Sequence, residues 1–377
     1  MGTDASDSSD NVVVSSRLRN TLGAFGISNA SIDRAVDQDR LHLLAVEAVV
    51  GPIEGRLSLN EIAERSAVDL PLLRTLWRSL GFADVGDDER VFTALDLGAA
   101  QALATLLSHG VDLEIVLQIA RVIGSSMARV AEAEVVASAL ADLNIEGSET
   151  DNAETAEHFL RFASTMVPIV PDLLGYAWRR HLHSIATRYL LARDRGSFDS
   201  SKLALAVGFL DLVGFTVLSQ SLTASELSTL VSEFEALAYD TVAKLGGRVV
   251  KMIGDEVMFV ADDPMAAAEI CLSLQEVYAT QHTLSVVRAG LSYGTVLARG
   301  GDYFGTVVNL ASRIVNIANP GSLLVSEGFR GALDVDSGYV TKALRPRYLK
   351  DFGDVQLWVL RRGLRDSESS PLSGSDR

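Results

Sequence analysis

The amino-acid sequence predicts two differently built parts: an all-α N-terminal domain and a C-terminal α+β domain. Three observations carry this. Apolar residues recur at helical spacing up to residue 195, and no alternating strand of useful length occurs there. Beyond the short linker Gly196-Ser197-Phe198-Asp199-Ser200, β-branched and apolar runs appear at 203–212, 249–253 and 256–260, with a helical stretch at 225–245. The use of basic residues changes at the same place. Residues 1–200 hold 17 Arg, no Lys and 29 Asp+Glu, whereas all five lysines (Lys202, Lys244, Lys251, Lys342, Lys350) come later.

The elements follow in order. Residues 1–20 read as a disordered acidic leader, and MGTDASDSSD shows no signal peptide. A helix over 31–50 is predicted by Ile32, Ala35, Leu41, Leu44 and Ala45, ending before Gly51-Pro52. Residues 58–82 have the pattern of a helix-turn-helix, turning near Val68-Asp69. Thr93 is an N-cap for a helix that stops at Gly110. The run 111–143 is expected to break near Gly124-Ser125. Pro168 and Pro171 are expected to interrupt the next segment, with a restart at Asp172. The stretch leading to residue 195 is basic and carries His181 and His183, imidazole side chains of the kind that proton-responsive switches use. Gly246-Gly247 closes the helix at 225–245, a helix is expected over 307–317, and 363–377 reads as a disordered Ser-rich tail.

Composition narrows the function. The 377 residues carry 49 Asp+Glu against 33 Lys+Arg, a formal net charge of −16 that opposes broad binding to polyanions. The helix-turn-helix lies in 58–107, where 8 acidic and 4 basic residues give the wrong sign for DNA, so it reads as a packing module. No apolar run reaches the roughly 18–20 residues of a membrane span. The single cysteine, Cys271, sits in an apolar stretch and fits a buried thiol in a reducing, cytoplasmic setting.

Three segments carry chemistry. Phe209-Leu210-Asp211-Leu212-Val213-Gly214-Phe215-Thr216 delivers a carboxylate at a strand end, with a turn and helix start whose N–H groups can meet phosphate. Lys251-Met252-Ile253-Gly254-Asp255-Glu256 places a second carboxylate in a tight hairpin turn. Asp211 and Asp255 together can hold two Mg²⁺ or Mn²⁺ ions bridged by a triphosphate. The third segment, Gly301-Asp302-Tyr303-Phe304-Gly305 and the helix after it, puts Asn309 and Arg313 on one face at i, i+4.

Together these segments resemble the class III nucleotidyl cyclases over about residues 201–360. The resemblance implies a ferredoxin-like (palm) fold for the catalytic domain at 201–362. It implies metal binding by Asp211 and Asp255, purine selection by Lys251 and Asp302, and transition-state stabilisation by Asn309 and Arg313. Arg288 and Lys350 match phosphate-contacting positions. Adenine donates at N6 and accepts at N1, so a carboxylate and an ammonium fit ATP rather than GTP. The family pairs catalytic domains head to tail. One domain carrying both residue sets therefore implies a homodimer with composite sites, Asp211 and Asp255 from one subunit and the other four from its partner. A helical domain at 21–195, ending in a linker helix, resembles that of a mycobacterial subset of adenylyl cyclases, which implies autoinhibition and a response to pH or lipid. Two competing readings are a diguanylate cyclase, which leaves Asn309 and Arg313 unexplained, and a nucleotide sensor or helix-turn-helix regulator with a degenerate cyclase domain.

Overall fold

A computed structural model describes residues 15–49, 55–142, 152–194, 202–280, 286–334 and 338–363. The chain divides into two compact units, Met1–Leu191 and Ala192–Arg377. The linker at 196–200 and the tail from residue 364 lie outside the described residues, as does the leader up to residue 14.

Unit one is helical. Helices α1 (Ser16–Ala24), α2 (Asn29–Asp37) and α3 (Leu41–Val49) bury Leu18, Leu22, Ile32, Leu41 and Ala45 in one core. Helices α4 (Leu59–Ser66), α5 (Leu70–Ser79), α6 (Ala94–Ser108) and α7 (Leu113–Asp142) share a second core around Ile62, Leu73, Trp77, Phe92 and Leu103. The long α8 (Asn152–Asp194) returns Ala156 and Leu160 to the first core. Capping explains several starts. Ser58 with Glu61, and Thr93 with Asp96, form reciprocal capping boxes that satisfy orphan N–H groups at the N-termini of α4 and α6.

Four details depart from expectation. Helix α1 starts inside the stretch read as leader, because Ser15 caps it and Leu18 is buried. The helix expected over 31–50 is two helices. Asp39 takes a left-handed conformation (φ 52°), and Arg40 N–H closes the turn onto Ala35 C=O at 2.8 Å. Helix α7 does not break at Gly124. A Cβ there would lie 2.2 Å from the Leu80 carbonyl oxygen, so the glycine lets α7 pass close to the end of α5. Helix α8 runs through Pro168 and Pro171. The prolines leave the Ser164 and Val167 carbonyls without intrahelical donors, and both residues are exposed, so water can bond them.

Unit two comprises β1 (Lys202–Leu212), α9 (Phe215–Ser221), α10 (Ala224–Lys244), β2 (Arg248–Ile253), β3 (Glu256–Ala261), α11 (Pro264–Thr280), β4 (Val287–Arg299), β5 (Asp302–Phe304), α12 (Thr306–Ile317), β6 (Leu323–Ser326), α13 (Glu327–Gly331), β7 (Tyr339–Ala343), β8 (Arg347–Leu349), β9 (Gly353–Val355) and β10 (Leu357–Arg362). The main sheet has the order β2-β3-β1-β4-β6-β10-β7, with β5 paired to β4, and β8-β9 form a separate hairpin. Pairing is antiparallel except between β4 and β6. This is the expected mixture of sheet and helix.

Strand alternation sorts the faces. Ala206, Leu210 and Leu212 of β1 join a core with Phe234 and Val242 of α10 and Ile270 and Cys271 of α11. Burial pushes the Cys271 thiol up, as suits an inert core residue. Leu205, Val207 and Phe209 pack instead with Val308, Ala311 and Val315 of α12. Asp211 continues that second alternation and so lies on the α12 face. Helix α12 rests directly on β4 at Gly290, where a Cβ would sit 2.5 Å from Val315 N. Only glycine admits the helix so close, and this contact sets where Asn309 and Arg313 stand.

Candidate active site

The first cluster is acidic. Asp211 is the penultimate residue of β1, and its cross-strand neighbours are Glu256 on β3 and Arg288 on β4. Asp255 sits in the two-residue turn between β2 and β3, which Gly254 enters at φ 63°. The Leu212 N–H donates to Asp255 C=O at 3.1 Å, which fixes the turn against the end of β1. Asp211 is the more enclosed partner, its side chain 13% exposed. Arg288 Nε and Nη2 each lie 2.6 Å from Asp211 Oδ2. Burial raises the Asp211 carboxyl above the usual range, opposed by Arg288 and aided by Asp255.

Glu256 is the acidic residue that sequence reasoning left without a role. Its carboxyl is pushed up to about 7, first by burial and then by the charges of Asp211 and Asp255. Its only signal was the Asp-Glu pair after Gly254, and nothing in the sequence shows that strand register sets it beside Asp211. Folding favours the protonated form of Glu256. That contribution is complete below about pH 4.5 and is lost as the pH rises through about 7. Thermal melts of metal-free protein should show Glu256→Gln gaining Tm relative to wild type across that interval. A constant difference between the two would refute the assignment.

The second cluster is the Lys251–Asp302 ion pair, 2.5 Å long, between the edge strand β2 and the short β5. Asp302 Oδ1 also accepts the Tyr303 N–H at 2.8 Å, which orients the carboxylate. The third cluster lies at α12. Asn309 is exposed one turn before Arg313. Arg313 Nη2 stands 3.6 Å from Asp351 Oδ2, and its buried Nε has no hydrogen-bond partner. Asp351 and the exposed Lys350 occupy the turn between β8 and β9, Asp351 at φ 71°.

The structure thus joins Asp211, Asp255 and Arg288, and separately joins Lys251 to Asp302. Among the described residues no hydrogen bond or ion pair links Arg313, Lys251 or Asp302 to the acidic cluster. Helix α9 begins beside Asp211 at Gly214 with no side-chain cap on its first N–H groups. Among the described residues no three or more His, Cys, Asp or Glu side chains are grouped closely enough to hold a metal ion by themselves. Two neighbouring hard carboxylates fit a divalent cation such as Mg²⁺, which takes one or two protein carboxylates and completes its shell with phosphate oxygens and water.

Comparison with known proteins places these clusters in context. A family model described as adenylate cyclase regulatory domain matches residues 13–182, and one described as adenylate and guanylate cyclase catalytic domain matches residues 200–362. An adenylate cyclase of Streptomyces coelicolor is 39% identical over 76% of this chain and 74% of its own length. An adenylate cyclase of Glutamicibacter nicotianae is 32% identical over 85% of this chain and 84% of its own. A pH-sensitive adenylate cyclase of Mycobacterium tuberculosis is 32% identical over 89% of this chain and 85% of its own. Among the described residues no helix is long and apolar enough to cross a membrane.

Proposed function

The chain belongs to the adenylate cyclases in which a helical regulatory domain precedes a class III catalytic domain, and we propose that it converts ATP to 3′,5′-cyclic AMP and pyrophosphate at two sites, each built between two copies of unit two. In the reaction the ribose 3′-oxygen attacks the α-phosphorus in line. The bond to the bridging oxygen of pyrophosphate breaks, and the hydroxyl proton passes to solvent or phosphate. Divalent ions, Mg²⁺ or Mn²⁺, would lower the pKa of the hydroxyl and neutralise the triphosphate, held by Asp211 and Asp255.

The chain's own residues do the rest. Lys251 donates to adenine N1 and Asp302 accepts from N6. Asn309 orients the ribose, and Arg313 meets the charge that builds on the α-phosphoryl oxygens. Arg288 and Lys350 bind the outer phosphates. The observation that carries this reading is the separation of the clusters. Lys251 pairs with Asp302 and Asp211 with Arg288, with no bond between the two pairs among the described residues, which supports a site completed by a second copy.

Base choice is testable. Lys251→Glu reverses the polarity offered to N1, so kcat/KM for ATP is expected to fall by roughly two orders of magnitude or more relative to GTP. An unchanged ratio would show that Lys251 does not read the base.

Unit one, by this reading, holds the catalytic dimer back through α8. His181 and His183 are exposed on that helix and suit a proton response like that named for the M. tuberculosis relative. A lipid ligand is the other regulator the architecture allows. A fragment beginning at residue 201 should turn over ATP faster than the full chain under non-activating conditions. Equal or slower turnover by a folded fragment would remove inhibition from the account.

A further inference from the structure

Arg288 makes two contacts that its role toward phosphate does not require. Its Nε and Nη2 both hold Asp211 Oδ2 at 2.6 Å, while Nη1 donates to Asn316 C=O at 3.1 Å near the end of α12. The carboxylate that would bind metal is therefore neutralised by a guanidinium on the adjacent strand. The same guanidinium is bonded to the last turn of the helix that carries Asn309 and Arg313. A cation approaching Asp211 meets a like charge already in place, and Asp211 Oδ2 is already held by two guanidinium nitrogens. A triphosphate offers Arg288 an alternative anion of higher charge.

Resting on the metal-binding reading of Asp211, we infer that Arg288 is an exchange residue. In the empty chain it occupies Asp211 and anchors α12. When nucleotide enters, it transfers to the phosphates and frees Asp211 and the Asn316 carbonyl together. Nucleotide and divalent cation then bind cooperatively, each raising the affinity of the other by the same factor. The empty site is kept from holding bare metal, and α12 is released when substrate is present. No covalent step is involved. Only ion-pair and hydrogen-bond partners change.

The test is Mn²⁺ binding to the full-length protein, followed by the electron paramagnetic resonance of free Mn²⁺, with and without 3′-deoxy-ATP, which cannot cyclise. Arg288→Met is expected to bind Mn²⁺ about ten-fold or more tightly than wild type in the empty protein, the scale of a lost charge-assisted bond. It should also gain less affinity from 3′-deoxy-ATP than wild type does, while its KM for ATP rises. Arg288→Lys keeps the charge but loses the fork, and should lie between the two. Unchanged or weaker Mn²⁺ binding by empty Arg288→Met, with Asp211→Asn still abolishing binding, overturns the exchange and leaves the metal site standing. Full Mn²⁺ affinity in Asp211→Asn with 3′-deoxy-ATP overturns the metal reading as well.

Discussion

Asp211→Ala and Lys251→Ala homodimers are each expected to lose nearly all activity, and their equimolar mixture to recover about a quarter of the wild-type rate. The fraction follows from symmetry. Random exchange makes half the dimers mixed. In a mixed dimer one site receives both substitutions and the other receives neither, so half the molecules keep half their sites. The proposed composite site draws on two separate pairs. Asp211 is bonded to Arg288 across two strands, and Lys251 is committed to Asp302 on a different pair of strands. If one chain held a complete site, both mutants would carry defects that no partner could repair, and the mixture would stay as inactive as its parents. Native mass spectrometry of the mixture supplies the necessary control that mixed dimers form.

Arg313→Ala is expected to lower kcat by about 10²- to 10³-fold, with a much smaller effect on KM, because in the proposed mechanism the charge it meets appears only as the transition state forms. Its surroundings favour that use. The ion pair to Asp351 is long, at 3.6 Å, and the buried Nε has no partner, so the guanidinium has unfilled hydrogen-bonding capacity. Its placement depends on α12 lying close over Gly290. Arg313→Lys should recover only part of the rate, since an ammonium cannot span two phosphoryl oxygens as a planar fork does. Equal losses in binding and turnover would reassign Arg313 to ground-state binding of ATP.

Much of this was legible in the sequence because the signals are local. Thr93 before an apolar helix reads as a cap from four residues of context, and the structure forms a capping box there. The strand at 203–212 and the helix at 225–245 are long and strongly patterned, and they appear within a residue or so of their expected bounds. The failures are tertiary. Gly124 looked like a break because propensity cannot show that the end of α5 needs the space. Pro168 and Pro171 looked like interruptions, yet α8 runs through both, with Ser164 and Val167, the residues one turn before them, exposed. Asp39 ends a helix within a run whose apolar spacing continues on both sides.

The site divides in the same way. Asp211, Lys251, Asp255, Asp302, Asn309 and Arg313 lie in short motifs, and their proposed roles come from the resemblance of those motifs to the class III cyclases. Glu256 and the hold of Arg288 on Asp211 could not, because both arise from register between β1, β3 and β4. Asp351 was missed for a similar reason. It meets Arg313 only because the β8–β9 turn lies near α12.

The central claim is cyclisation of ATP by this chain, and one product analysis tests it most directly. Purified full-length protein is incubated with Mn²⁺ and equal concentrations of ATP and GTP, with Asp211→Ala alongside, and the nucleotides are separated and identified by mass. The account predicts cyclic AMP and pyrophosphate in equal amounts from the wild type, little cyclic GMP, and neither cyclic product from Asp211→Ala. Cyclic GMP as the main product, or no cyclic nucleotide from a folded wild-type dimer, would contradict it.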